Sequence, residues 1–473
     1  MVFSSLIFLF VFFALNLAVY HLVSDKYKNK VLLIFSLIFY AWGGPAYLLL
    51  LVGETLASWF FARKIESAEN KRTRKLYMFG ECIVLLGLLG YFKYAVFFLE
   101  NFRMLFGVPE TIPNIVLPIG ISFYTFQLLS YVVDVYRKEI KAQPVFWKLL
   151  LYSSLFHQCI AGPIVRYETV ANEIDQRRVT QTDVYAGIRR FCIGLAKKAI
   201  LANSCAEIAD SLIMPGSETL AVQTTMGLWL GMFAYMLQIY LDFSAYSDMA
   251  LGMGRMIGFH YLENFNYPYT ARSVQDFWRR WHISLSTFFR DYIYIPLGGN
   301  RCSTGRYIRN MAIVWFLTGM WHGASWNYIL WGIYYLIFLL LEHFVIRERI
   351  PGLLKYVYTL LAIFFGWVIF KFENLGELES VLTGLFGIGT SGFLGMEVST
   401  VFLGNIFLLI FASIACTPLG KTVRQSLARL GTRSRAAFAV FNITEMIIPP
   451  LLLILSVLAL IGNSYNPFLY FQF

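Results

Sequence analysis

The sequence predicts an all-α polytopic integral membrane protein with about 11 or 12 transmembrane helices, accompanied by re-entrant and interfacial helices. Of its 473 residues, 58% are hydrophobic and 14% are charged, whereas an ordinary soluble domain has roughly 25% charged residues. Long runs such as 6–22 and 451–461 are apolar on every side, which excludes the alternating pattern of a β-barrel. The same composition excludes a soluble enzyme, a coiled coil and a disordered chain.

Basic loops orient the first spans through the positive-inside rule. The apolar run 3–22 lacks a basic n-region and a cleavage site, so we expect a retained span. Three lysines between 26 and 30 place the next loop in the cytoplasm. The spans that follow are predicted at 31–42 and 46–62, a hairpin around Gly43-Gly44-Pro45, and then at 76–99 and 113–136.

The middle of the chain is less regular. Residues 146–159 run into Ala161-Gly162-Pro163 with basic residues on both sides. This favours a re-entrant loop, because non-helical backbone at membrane depth is tolerated only when it is buried or lines a cavity. Spans are predicted at 191–212 and 227–241. The polar and aromatic stretch 262–310, with seven arginines, is expected on the cytoplasmic side.

Beyond this stretch the apolar pattern resumes. Five spans are predicted at 311–323, 326–341, 353–370, 401–417 and 446–460. No internal repeat is visible, which weighs against an inverted-repeat transporter. We expect one integral membrane domain, 1–473, made of N-terminal helices (1–136), a core with the catalytic histidines (137–345) and C-terminal helices (346–473).

The net charge of +11 does not indicate nucleic acid as a partner, because basic cytoplasmic loops explain it. The partners this composition predicts are membrane lipids. The six cysteines show no CxxC or zinc-type spacing, so we predict neither a metal site nor a disulfide framework.

The stretch 262–310 predicts one amphipathic helix. Ser273 and Asp276 have the spacing of a capping box. Apolar residues from Val274 to Tyr292 then recur every three or four positions, and Arg279, His282, Ser286 and Arg290 recur in the same way on another face. An interfacial helix explains the arginines, but it has no special need of an imidazole at position 282.

His322 lies within apolar sequence. It follows Arg309 by 13 residues, so a helix would carry it about 20 Å from the cytoplasmic boundary. Basic residues flank both ends of the region, which predicts a helical hairpin with His322 and Gly323 near its turn. An ionisable residue at that depth is a functional candidate, and the alternative is a neutral histidine that bonds to a neighbouring helix.

Acidic residues also occur within predicted spans. Asp242 and Asp248 are six residues apart, so a helix points them about 120° away from each other and they do not form a carboxylate pair. Asp242 is expected to orient a partner histidine or arginine. Glu54 and Asp134 are interpreted as polar groups that pack helices together.

Four stretches of the sequence resemble the membrane-bound O-acyltransferase family, in particular its bacterial branch that O-acetylates exported polysaccharides such as alginate. The stretches are Glu263-Asn-Phe-Asn-Tyr-Pro-Tyr269, Asp276-Phe-Trp-Arg-Arg-Trp-His-Ile-Ser-Leu-Ser286, Phe289-Arg-Asp-Tyr-Ile-Tyr-Ile-Pro-Leu-Gly-Gly-Asn-Arg301 and Met320-Trp-His-Gly-Ala-Ser-Trp326. Weaker matches extend the resemblance back to the first hairpin, over more than half of the chain.

The resemblance implies a catalytic role for His322, with His282 as the family's second polar histidine, and a tunnel that leads to His322. Substrate or donor binding is expected of Arg279, Arg280, Arg290, Trp321 and Asp242. The teichoic-acid D-alanylation proteins share the Trp-Arg-Arg-Trp-His string, but Pro296-Leu-Gly-Gly-Asn-Arg301 resembles the acetylating branch. An acetyl donor is therefore favoured over a D-alanyl donor.

These observations lead to a functional hypothesis. The chain is expected to be an O-acetyltransferase of the bacterial cytoplasmic membrane that relays acetyl groups from cytosolic acetyl-CoA, its donor substrate, to a polysaccharide outside. No cofactor is expected. His322 is a general base or a transient acyl acceptor, and a separate extracytoplasmic acetyltransferase completes the transfer. The alternatives are D-alanyl transfer, a transporter or flippase without acyl chemistry, and a lipid acyltransferase that faces the cytoplasm.

Overall fold

The fold is known from a computed structural model that describes residues 2–108, 111–159, 162–346, 351–462 and 465–467. Every regular element among these residues is helical, as the composition predicts. The chain divides into two compact units. Unit 1 comprises Met1–Phe191 and Met249–Glu263, and unit 2 comprises Cys192–Asp248 and Asn264–Phe473.

Unit 1 is built from the N-terminal helices. A π-helical turn, Phe8–Phe13, continues directly into the first α-helix. The helices are α1 (Ala14–Leu22), α2 (Asp25–Ala41), α3 (Pro45–Ser67), α4 (Lys71–Phe106), α5 (Ile121–Arg137), α6 (Phe146–Ser154), α7 (Phe156–Cys159), α8 (Tyr167–Asp175) and the start of α9 (Gln181–Ala196).

The first predicted hairpin is confirmed. Helix α2 ends at Ala41, and α3 begins at Pro45. Gly44, with φ of 147°, makes the turn in a conformation that favours glycine. Pro45 occupies the first helical position, where its missing N–H has no intrahelical partner to lose.

Two predictions for unit 1 need comment. The span predicted at 113–136 is helical only from Ile121. Gly120, the residue before it, has φ of 76°, a left-handed conformation that does not continue an α-helix. The segment predicted to be re-entrant breaks at Leu155, between α6 and α7. Residues 160 and 161 of that segment lie outside the described residues, and the re-entrant path stays a prediction.

Arg177 connects several separate segments of unit 1. Its guanidinium donates hydrogen bonds to the Tyr20 hydroxyl (2.9 Å), the Ile257 carbonyl (3.0 Å) and the Asn29 side chain (2.6 Å). It also lies over the Phe259 ring, 4.7 Å from the ring centroid. One side chain therefore joins segments that are more than 200 residues apart in the sequence, through a fork of donors that lysine does not possess.

Unit 2 holds the remaining helices. They are α10 (Asn203–Ile213), which follows α9 through the π-helical Lys197–Ala202, α11 (Glu218–Ala221), α12 (Thr225–Met256, whose last turns belong to unit 1), α13 (Val274–Arg280), α14 (Ile283–Phe289), α15 (Thr304–His322), α16 (Trp326–Leu341), α17 (Gly352–Lys371), α18 (Leu375–Gly384), α19 (Met396–Ala415), α20 (Leu419–Gly431) and α21 (Arg435–Gly462). Their shared core is rich in aromatic rings, with Trp331, Trp367 and Tyr335 almost fully buried.

Six helices in the described part of the chain are long and apolar enough to cross a bilayer. They are α3 and α4 in unit 1 and, in unit 2, α16 with its π-helical extension to Ile346, α17, α19 and α21. The apolar helix Phe8–Leu22 is shorter. The chain is thus a multi-pass membrane protein, and the total of about 11 or 12 crossings stays a prediction.

Candidate active site

His322 lies at the turn of a tight helical hairpin, as predicted. Helix α15 ends at His322, and α16 begins four residues later at Trp326. The two helices approach closely because glycines face backbone: a Cβ on Gly319 would overlap the Tyr328 carbonyl, and a Cβ on Gly332 would overlap the Trp315 carbonyl. This close packing fixes the position of His322 relative to both helices.

The imidazole of His322 is enclosed by aromatic rings and is 7% exposed. The rings of Trp331 and Phe370 lie edge-on to it, at centroid distances of 4.9 Å and 5.1 Å. The neighbouring Trp321 ring is 5.0 Å away. Such a pocket excludes water from a group that exchanges a proton near neutral pH, and it therefore suits acid–base or nucleophilic chemistry.

The prediction of one continuous amphipathic helix across the polar stretch is wrong. Ser273 caps α13 as predicted, its side chain accepting a hydrogen bond from the Asp276 N–H. The helix then stops at Arg280, and α14 begins at Ile283. Between them His282 adopts a left-handed conformation, with φ of 44° and ψ of 56°. That conformation costs a residue with a Cβ about 1–2 kcal/mol.

Hydrogen bonds from a preceding loop hold this break in place. The Ile283 N–H donates to the Asn264 carbonyl (2.9 Å), and the Asn266 N–H donates to the Arg280 carbonyl (2.9 Å). The Oδ1 of Asn264 lies 3.3 Å from Nδ1 of His282. The break therefore turns His282 off the arginine face of the predicted helix and into the core, where it is 1% exposed. Burial lowers the pKa of His282 to about 3, so its imidazole is neutral at physiological pH.

Trp321 connects the two histidines. Its ring lies 5.7 Å from the His282 ring and 5.0 Å from the His322 ring, roughly edge-on to both. Phe243 of α12 covers another side of His282, at 4.9 Å. Two histidines that are 40 residues apart in the sequence thus share one aromatic wall in unit 2, and Trp321 is central to it.

The three predicted donor-binding arginines lie on the surface near this site. Arg280 pairs with Asp276 at 2.9 Å, and Arg290 pairs with Asp291 at 2.6 Å. Arg279 is exposed. The ion pairs of Arg280 and Arg290 are with neighbouring acidic residues, and the role of the three arginines in donor binding stays a prediction.

Asp242 has a different partner from the one expected. Its carboxylate lies 2.8 Å from Nζ of Lys198, and both side chains are 3% exposed. The partner in this contact is a lysine, and the predicted histidine or arginine partner stays a prediction. Asp248 pairs separately with Lys197 at 2.6 Å, so the two aspartates have different lysine partners. Ion pairs of this kind survive in an apolar interior only when both charges are present.

Several residues of the site were missed in the sequence. Lys197 and Lys198 stand in an apolar run and begin the π-helical segment, and their charge was the available signal. Asn264 and Phe370 carried no such signal, because a loop asparagine and a phenylalanine among 44 are unremarkable until the chain is folded. Beside Phe370, Lys371 pairs with Asp210 at 3.4 Å.

Comparison with known proteins identifies the family. The profile of the membrane-bound O-acyltransferase family matches residues 137–370. A probable alginate O-acetylase of Pseudomonas aeruginosa is 37% identical over 525 aligned positions, covering 100% of both chains. A peptidoglycan O-acetyltransferase of Helicobacter pylori is 33% identical, covering 82% of this chain and 80% of its own length.

A more distant relative is a teichoic acid D-alanyltransferase of Bacillus subtilis, which is 27% identical over 54% of this chain and 69% of its own length. The family match includes both histidines, the arginines and the Asp242 ion pair. The chain is therefore a member of the membrane-bound O-acyltransferase family, a multi-pass membrane enzyme with O-acyltransferase activity.

Proposed function

We propose that this enzyme O-acetylates an exported or cell-surface polysaccharide, using acetyl-CoA from the cytosol of a bacterium. Two relatives that match most or all of the chain are named for O-acetylation, one of alginate and one of peptidoglycan. The D-alanyltransferase relative is less similar and matches about half of the chain. An acetyl group is therefore better supported than D-alanyl as the group that is transferred. Family membership argues against a transporter without acyl chemistry.

The observation that carries the proposal is the aromatic wall shared by two buried histidines. His282 follows two residues after the arginine-bearing helix α13, and His322 stands at the turn of the α15–α16 hairpin. Trp321 contacts both rings. In this proposal His282 lies on the side from which the cytosolic donor enters. His322 is the residue at which the acetyl group passes from the donor to the acceptor.

The chemistry at His322 has two versions. In the first, an imidazole nitrogen attacks the thioester carbonyl, the C–S bond breaks, and CoA leaves as a thiol after taking up the imidazole proton. An acceptor hydroxyl then attacks the acetyl-imidazole and returns a proton to the ring. In the second, His322 acts as general base and takes the proton of the acceptor hydroxyl while that hydroxyl attacks the thioester carbonyl. The C–S bond then breaks, and the imidazolium gives its proton to the departing thiolate, so that CoA leaves as a thiol. Both versions balance without a further reactant.

The remaining parts of the proposal concern partners and place. Arg279, Arg280 and Arg290 attract the phosphates of the donor at the cytoplasmic mouth, where the surface is basic. The enzyme resides in the bacterial cytoplasmic membrane, since the donor is cytosolic and the polymer is outside. A separate extracytoplasmic acetyltransferase delivers the acetyl group to the sugar hydroxyls.

Inverted membrane vesicles that contain the polymer test the proposal. Labelled acetyl-CoA added outside such vesicles is expected to label the enclosed polymer, and His322→Ala is expected to remove the label. His343→Ala is the matched control, because the His343 ring lies against that of Tyr307, at a centroid distance of 4.6 Å, just beyond the end of α16 and away from the hairpin turn. Rapid quenching without polymer separates the two versions, since only the first yields labelled protein.

Two results would contradict the proposal. Full labelling of the polymer by the His322→Ala variant would show that His322 is not required for transfer. Labelling of the polymer from activated D-alanine but not from acetyl-CoA would show that the transferred group is D-alanyl and not acetyl. NMR of the exopolysaccharide and cell wall from cells with and without the gene then identifies the polymer that loses its O-acetyl groups.

A further inference from the structure

Asn264 is a buried side chain whose hydrogen bonds converge on the break at His282. It is 1% exposed and belongs to the loop that precedes α13. Its Oδ1 atom accepts a hydrogen bond from the Ser284 N–H at 3.1 Å and another from the Ser284 hydroxyl at 2.9 Å. The same atom faces Nδ1 of His282 at 3.3 Å.

These contacts determine which ring nitrogen of His282 carries the proton. A backbone N–H is only a donor, so the Asn264 atom it meets is the amide oxygen and not the amide nitrogen. A bare Nδ1 would then place its lone pair against the lone pairs of that oxygen. A protonated Nδ1 donates to the oxygen instead, and in a neutral imidazole this leaves Nε2 bare.

The Ser284 hydroxyl does not reverse this assignment. It lies 3.4 Å from Nδ1 of His282 but 2.9 Å from the Asn264 oxygen. The proton of the Ser284 hydroxyl is therefore directed to the Asn264 oxygen, and a lone pair of the hydroxyl oxygen faces the His282 ring. Both neighbours of Nδ1 thus act as acceptors for the Nδ1 proton.

We propose that Asn264 is a positioning residue of the active site, which holds His282 as the Nδ1–H tautomer and so presents Nε2 as the basic nitrogen. Asn264 contacts no reacting atom in this proposal and acts only through His282. The left-handed backbone of His282, stapled by the same asparagine through the Ile283 N–H, fixes the direction of the ring. His282 therefore accepts hydrogen bonds at Nε2 and does not donate them there in its resting state.

The inference has a readout that is independent of any donor. In protein labelled with 15N-histidine and reconstituted in lipid nanodiscs, protonated and bare ring nitrogens have separate 15N chemical shifts. The His282 signals are identified by their loss in His282→Gln. We expect a protonated Nδ1 and a bare Nε2 in the wild type, and a shift toward Nε2–H in Asn264→Ala.

A second variant guards against misfolding. Asn264→Asp keeps the oxygen acceptor and replaces only Nδ2, which has no hydrogen-bond partner among the described residues. We expect it to keep Nδ1 protonated. In the vesicle assay Asn264→Ala is expected to lose roughly 10- to 100-fold in transfer rate, as for other residues that orient a functional histidine, and Asn264→Asp to recover part of it.

Asn310 offers a matched structural control. It is also fully buried, and its Nδ2 donates to the carbonyls of Leu297 and Gly299, both at 3.2 Å, so it staples a loop without contacting a histidine. Asn310→Ala is expected to lower thermal stability as much as Asn264→Ala but to leave the His282 tautomer unchanged.

A protonated Nε2 on His282 in the wild type, or an unchanged tautomer in a folded Asn264→Ala variant, would overturn the inference. The role of the tautomer in transfer rests on the proposed function, but the tautomer itself does not. If the wild type shows the expected tautomer and transfers no acetyl group, the proposed function fails and the role of Asn264 in holding His282 stands.

Discussion

Two carboxyls of unit 1 and two histidines of unit 2 are buried in different ways. In unit 1, Glu54 on α3 accepts a hydrogen bond from the Thr125 hydroxyl at 3.0 Å, and Glu81 on α4 accepts one from the Ser58 hydroxyl at 2.5 Å. Each contact joins two helices of unit 1 with regular backbone. In unit 2, His282 and His322 stand outside or at the end of helices and share a ring, Trp321.

The difference shows that burial of an ionisable group does not by itself mark an active site. The unit 1 carboxyls each hold one helix to its neighbour, a role that the sequence predicts for Glu54. The unit 2 histidines are distinguished by two further features, convergence from separate segments and a shared aromatic wall, and His282 alone adds a strained backbone. Strain of that kind persists only where the surrounding structure imposes it, and it concentrates at functional sites.

The strongest test of this comparison replaces the central residue of the unit 2 site. His322→Gln is expected to lower acetyl transfer by about 100-fold or more, because the group that takes the proton or the acetyl is removed. Initial rates in reconstituted vesicles measure the loss. If His322→Gln kept more than a tenth of the wild-type rate at equal protein level, the assignment of the unit 2 site would fail.

The Lys198–Asp242 pair is expected to matter for stability more than for chemistry. Lys198→Met or Asp242→Leu alone leaves an unpaired buried charge and is expected to cost about 3–5 kcal/mol, whereas the double variant recovers most of that loss. Thermal unfolding followed by size-exclusion chromatography measures this double-mutant cycle. A stable double variant without transfer would instead give the pair a part in the reaction.

The arginines should give a smaller, salt-dependent effect. Arg280→Gln and Arg290→Gln are expected to raise the KM for acetyl-CoA several-fold with little change in kcat, because exposed charges attract the donor phosphates and are screened by salt. The rate is measured against donor concentration at low and high ionic strength. A change in kcat alone would speak for a role in the transfer step.

The smallest effect is expected in unit 1. Glu54→Gln keeps an oxygen for the Thr125 hydroxyl, so stability should change by about 1 kcal/mol or less and transfer should stay at the wild-type rate. Glu54→Leu, which removes the acceptor, is expected to be less stable than Glu54→Gln. A large loss of transfer in a stable Glu54→Gln variant would erase the distinction between the two units.

Part of the site was accessible from the sequence because its signals are local. His322 stood out as an ionisable residue in apolar sequence, and the Trp-Arg-Arg-Trp-His string marked His282. The hairpin turn beside His322 followed from flanking charges. The break at His282 was not accessible, since the periodicity from Val274 to Tyr292 runs through it without interruption, and hydrogen bonds from Asn264 and Asn266 override that local preference.

By itself the sequence determined the class of the protein, the position of the hairpin at His322, and which two histidines are candidates for the site. These follow from composition, charge placement and local pattern, which need no knowledge of the fold. Only the tertiary structure decided that Trp321 lies between the histidines, that Asp242 pairs with Lys198, and that Asn264 holds His282. Each of these contacts joins residues that are distant in the chain or depends on backbone geometry that such contacts impose, and no local pattern encodes them.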